Sequence, residues 1–113
     1  MNVSPIGIIS VQELSQKLRV PHCQLIDVRE PEELELARLP GFQNFPTSQF
    51  ATWYPTIAQT LDRHQETLVL CHHGIRSAQV CEVLVHLGFT NVKNIQGGIH
   101  AYALEIDPSV GKY

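Results

Sequence analysis

Short apolar runs alternate with segments of helical spacing along this chain, and that alternation narrows the possible folds more than any other feature. Residues 6–9, 24–28, 67–70 and 91–95 read as strands. A helix signal follows each. Ser10 and Glu13 fit a capping box, Ile9 and Leu14 fit a hydrophobic staple, and Val11, Leu14 and Leu18 make a buried stripe. Pro31 suits the first position of a second helix, with acids in its first turn. Val80, Cys81, Leu84 and Leu87 share one face of a helix over 77–87, closed by Gly88. Gly97-Gly98 leads into a last helix over 99–105. Between these units Pro40-Gly41 is a turn, and 42–45 is a weak strand ended by Pro46. Phe50, Tyr54, Ile57 and Leu61 keep helical spacing across Pro55, which predicts two short helices or a kink. The alternation predicts an α/β domain with a mostly parallel sheet and right-handed connections. The site of such a sheet lies at the carboxyl ends of its strands.

A length of 113 residues suits one domain over 1–113, with a core from about 6 to 106 and an irregular tail after it. The formal net charge is −3 and no basic stripe is visible, which disfavours nucleic acid as a partner. No apolar run has membrane-spanning length, and Met1-Asn2-Val3-Ser4-Pro5 lacks the order of a signal peptide. Cys23, Cys71 and Cys81 are odd in number and widely spaced, so no disulfide framework is expected. A reduced, cytoplasmic monomer is the expectation.

Cys71 carries the chemistry. It ends the run Thr67-Leu68-Val69-Leu70 and opens Cys71-His72-His73-Gly74-Ile75-Arg76-Ser77 ahead of a helix. Unpaired backbone N–H groups converge at a helix N-terminus, and the dipole there favours a thiolate. Gly74 permits a backbone turned inward as an anion cradle, and Arg76 brings a forked cation. Ser77 can cap the helix or offer its hydroxyl. The alternative for Cys71 is an inert core cysteine, and for Arg76 a solvated helix start. His72 and His73 tempt a metal reading, but adjacent residues make a poor tetrahedral set and no second Cys/His cluster lies near in sequence, so no metal is expected. Each histidine can instead tune the thiolate, touch substrate or simply fill the loop. Cys81 and Cys23 read as structural, and core packing is expected of Trp53 and Tyr54. Glu30, Glu32, Glu33 and Glu35 read as a solvated helix face.

Four segments carry a resemblance: residues 25–33, 39–46, 71–78 and 94–102, which together span nearly the whole chain. In that order they resemble a single-domain rhodanese, a sulfurtransferase. The resemblance implies one rhodanese-like domain, with a sheet of about five strands and helices on both faces. It implies that Cys71 takes a sulfane sulfur as a persulfide, that the amides from His72 through His73, Gly74, Ile75 and Arg76 to Ser77 cradle it, and that Arg76 helps hold an anionic donor such as thiosulfate. Asp27 and Arg29 match the family's Asp-x-Arg and would support the site by ion pairing; an ordinary strand-end salt bridge is the plainer reading. No cofactor is implied. The acceptor would be cyanide, a thiol or a protein cysteine. Ala37-Arg38-Leu39-Pro40-Gly41 and Tyr102 depart from the usual pattern, which touches substrate preference rather than the nucleophile.

The loop from Cys71 to Arg76 has six residues. Related phosphatases of the same fold use one residue more, so the shorter loop resembles the sulfur-transfer form. The rivals are a phosphatase or arsenate reductase on the same scaffold, and a non-catalytic persulfide carrier or protein-binding module.

Overall fold

A computed structural model describes residues 5–19 and 22–113. Residues 1–4, read above as lacking a leader, lie outside that description. The elements run β1 (Ile6–Ile9), α1 (Val11–Lys17), β2 (Gln24–Asp27), α2 (Pro31–Leu36), β3 (Gln43–Asn44), a 3-10 turn (Thr47–Gln49), α3 (Phe50–Trp53), α4 (Ile57–Thr60), β4 (Thr67–Leu70), α5 (Ile75–His86), β5 (Val92–Ile95), α6 (Gly98–Glu105) and a second 3-10 turn (Pro108–Val110).

Every strand pairing is parallel, and the five strands lie in the order β1-β5-β4-β2-β3. Strands that must cross over carry helices on the sheet faces, so both faces are covered. Side chains alternate along a strand, and β4 divides the core accordingly. Val69 and Cys71 join Trp53, Ile57, Val80, Cys81 and Leu84 on one face. Leu68 and Leu70 join Val11, Leu14, Ile99 and Tyr102 on the other. All four residues of β4 are buried, as expected of a central parallel strand.

Local chemistry sets the helix starts. The Glu13 N–H donates to Ser10 Oγ at 3.1 Å and the Glu13 carboxylate accepts the Ser10 N–H at 3.3 Å. Ile9 and Leu14 are buried together beside this cap. Pro31 opens α2. Two expectations need correction here. The spacing through Phe50 and Tyr54 does not mark the buried face: each is 39% exposed, whereas Trp53 and Ile57 are in the core. A new helix starts after Thr56, so a periodicity drawn across Pro55 joins two unrelated faces. The helix after Cys71 begins at Ile75 rather than at residue 77, because Gly74 takes the N-cap.

Candidate active site

β4 delivers Cys71 to the carboxyl edge of the sheet, between β2 and β5. Gly74 adopts φ +102° as the N-cap of α5, a conformation other residues rarely take. That turn aims the Gly74 N–H at Cys71 Sγ, 3.0 Å away. Ser77 Oγ lies 3.2 Å from the same sulfur. Ser77 is fully buried in the first turn of α5; its hydroxyl donates to Asn94 Oδ1 at 2.5 Å instead of capping the helix. The Asn94 amide in turn donates to the Gly74 carbonyl at 2.9 Å. Asn94 sits opposite Val69 in the sheet and thereby ties both sides of the loop to β5.

The start of α6 closes against the back of this loop. The Ile99 N–H donates to the Cys71 carbonyl at 2.9 Å and the His100 N–H to the His72 carbonyl at 3.0 Å. Only glycine fits at position 98, since a Cβ there would overlap both of those carbonyl oxygens and the backbone has φ +62°. This contact sets His100 beside His72 and His73, with ring centroids 5.9 and 4.8 Å away respectively.

Two ion pairs stand alongside. Asp27 ends β2, and its carboxylate takes three charge-assisted bonds from Arg29, at 3.0 and 3.2 Å from Nε and 2.7 Å from a terminal nitrogen. Both side chains are buried. Arg76 forks onto Glu33 at 2.6 and 2.8 Å. The Arg76 guanidinium holds the Glu33 carboxyl far below its ordinary 4.5, at about 2. Tyr113 joins the two pairs: its hydroxyl donates to Glu33 at 3.1 Å and accepts from Arg29 at 3.0 Å. Its ring stacks on His72, 3.8 Å between centroids and 8° from parallel. Burial pushes the His72 imidazole below its ordinary value, and His73 beside it adds to the effect.

The structure thus brings Cys71, His72, His73, Gly74, Ile75, Arg76 and Ser77 into one loop and helix start, with Asp27 and Arg29 behind them. Ile75 points out to solvent at 71% exposure. Glu33 is not part of a solvated face; its carboxylate is fully engaged by Arg76 and Tyr113. Tyr54 is exposed rather than packed in the core. The tail, read as irregular, carries a 3-10 turn and returns Tyr113 to the site. Asn94, His100, Glu33 and Tyr113 were not singled out from the sequence. Only Asn94 gave a signal, as a polar residue inside a strand. Burial raises both remaining thiols, Cys81 up to about 12, which suits structural rather than redox roles. A groove lined by Leu34, Arg38 and residues 39–42 shares only Asp27 with this set and lacks a nucleophile. No helix among the described residues is long and apolar enough to cross a membrane.

A family model described as "Rhodanese-like domain" matches residues 10–105. The chain is 50% identical over 113 residues to the "Rhodanese-like/PpiC domain-containing protein 12, chloroplastic" of Arabidopsis thaliana, matching 96% of this chain and 38% of that protein. It therefore spans well under half of that relative. It is 34% identical over 101 residues to the "Putative sulfurtransferase YtwF" of Bacillus subtilis, with 88% of this chain and 93% of that one covered. The solved single-domain sulfurtransferase RDL2 of Saccharomyces cerevisiae superposes with a TM-score of 0.79 at 19% identity, over 99% and 100% of the two chains, and speaks for the fold alone.

Proposed function

We propose, from the premise that this chain belongs to the rhodanese-like domain family, that it moves a sulfane sulfur through a persulfide on Cys71. Relatives named as sulfurtransferases support a sulfurtransferase-type enzyme. The observation that carries the reading is the position of Cys71 Sγ. It sits at the end of the central strand, takes the Gly74 N–H at 3.0 Å, and faces the start of a twelve-residue helix.

In the first step the Cys71 thiolate attacks the outer sulfur of a donor such as thiosulfate. A new S–S bond forms, the donor's S–S bond breaks, and sulfite leaves with the bonding pair. In the second step a thiophilic acceptor (cyanide, a thiol or a protein cysteine) attacks the outer sulfur and the Cys71 thiolate returns. No net redox partner is needed. Amides at the start of α5 have no partners within the helix and can bind the persulfide anion without reorganising. Arg76 starts out paired with Glu33. Its guanidinium carries five N–H donors, so those not used by Glu33 remain to meet an anionic donor. Asp27 and Arg29 act as positioning residues. Three free cysteines fit a reducing compartment, and we take this to be the cytoplasm.

The test is the intact mass of the wild-type chain after incubation with thiosulfate, beside Cys71→Ser. A gain of one sulfur atom that a reductant removes, and that the variant lacks, is expected. Equal gain in the variant would overturn the assignment of Cys71. No gain in either, with hydrolysis of an aryl phosphate or reduction of arsenate, would favour those chemistries instead.

A further inference from the structure

We infer that His72, His73 and His100 form a binding site for one divalent transition-metal ion of the zinc type, beside the Cys71 loop. Each offers a ring nitrogen, and the three nitrogens lie within 4.8 Å of one another. The second observation is independent of that geometry. Among the described residues, His72 Nε2 and His100 Nδ1 are the buried side-chain nitrogen or oxygen atoms without a hydrogen-bond partner. A buried polar atom left unpaired calls for an explanation, and a bound ion is one.

The backbone arrangement is built rather than incidental. The His100 N–H is bonded to the His72 carbonyl and the Ile99 N–H to the Cys71 carbonyl, which locks α6 against the loop. His72 is held further by the Tyr113 ring stacked on it. His73 is exposed, so its ring can turn at little packing cost. Nitrogens around tetrahedral zinc stand about 2.0–2.1 Å from the ion and hence about 3.3 Å apart, so that turn is needed to close the set.

Charge and ligand type set the kind of ion. The cations beside the cluster, Arg29 and Arg76, are each paired with a carboxylate. Three imidazoles suit zinc, copper or nickel; calcium and magnesium demand oxygen. Three protein ligands leave a coordination position open for water or an anion. Cys71 Sγ is engaged by Gly74 and Ser77 and stands outside the three-nitrogen set. The inference does not rest on the sulfur-transfer reading.

The experiment uses the untagged full chain, stripped by a chelator and then titrated with Zn2+ against a chromophoric chelator. Binding of one ion per chain is expected. His73→Gln and His100→Gln should each weaken it at least about tenfold, while Cys71→Ser leaves it intact. Substitution with Co2+ should give ligand-field bands without thiolate charge transfer. Wild-type binding no tighter than in the two histidine variants would overturn the site, as would loss of binding in Cys71→Ser or a thiolate charge-transfer band. If His100→Gln fails to fold by circular dichroism, the exposed His73→Gln decides the matter alone.

Discussion

The hydroxyl of Ser77 has one proton and two neighbours that can use it. Its 2.5 Å bond to Asn94 spends that proton, so the 3.2 Å contact presents a lone pair to Cys71 Sγ. An anion on the sulfur would favour turning the proton towards it. Ser77→Ala should therefore slow persulfide formation about tenfold or more, since a hydrogen bond to a charged group contributes about 1.5–3 kcal/mol. The rate of sulfite release measures this, and an unchanged rate would mean that the Gly74 amide suffices. Glu33 gives a pH-dependent prediction. Its folded carboxyl titrates at about 2 against an ordinary 4.5, a depressed value, so its contribution is complete above about pH 4.5 and is lost as pH falls towards 2. Allowing for screening of a partly exposed pair, that contribution is about 1–2 kcal/mol. Glu33→Gln should thus be less stable than wild type at pH 7, by urea denaturation, with the gap closing below pH 4.5. A gap that persists at low pH would assign it to packing instead.

The joint between α6 and the Cys71 loop depends on one missing side chain. Gly98→Ala puts a methyl group into the carbonyls of Cys71 and His72 at positive φ. The expected loss is about 2–4 kcal/mol, with sulfur loading impaired as the loop shifts. Thermal unfolding beside the loading assay checks both, and a stable variant that loads normally would show the loop to be pliable. At this scale the sequence was informative where the signal was local. The Ser10–Glu13 cap, the Thr67–Leu70 strand and the break at Pro55 follow from neighbouring residues and were legible. Gly97-Gly98 was legible only as a turn. Its reason, the approach of α6 to residues 71 and 72, is a contact across more than twenty positions that no local pattern encodes. The same holds for Glu33, one acid among three on α2, which is singled out only because Arg76 folds against it.

At the scale of the whole molecule, the Asp27–Arg29 pair is the fully buried ion pair among the described residues. It gathers several elements: Asn44 of β3 donates to the carbonyls of both residues, Arg29 reaches the Glu33 carbonyl of α2, and Tyr113 comes in from the tail. Arg29→Met would leave the Asp27 carboxylate buried without a partner, at a cost of about 3–5 kcal/mol. Urea midpoints should show this, and Asp27→Asn added to Arg29→Met should recover part of it. No recovery would mean that the arginine acts by packing. The aspartate and arginine were legible only through the family resemblance, which pairs them; the tail was not, because Tyr113 meets them from more than eighty residues away. Sheet order carries a consequence for the moment of synthesis. Among the described residues β1 is an edge strand paired with β5 alone, with Ile6 opposite Val92. Of these five strands the first to be made is the last that can be seated. Until Ile95 has emerged, Ile9 and the helix capped beside it have no sheet edge to dock on, and the nascent chain must carry them exposed.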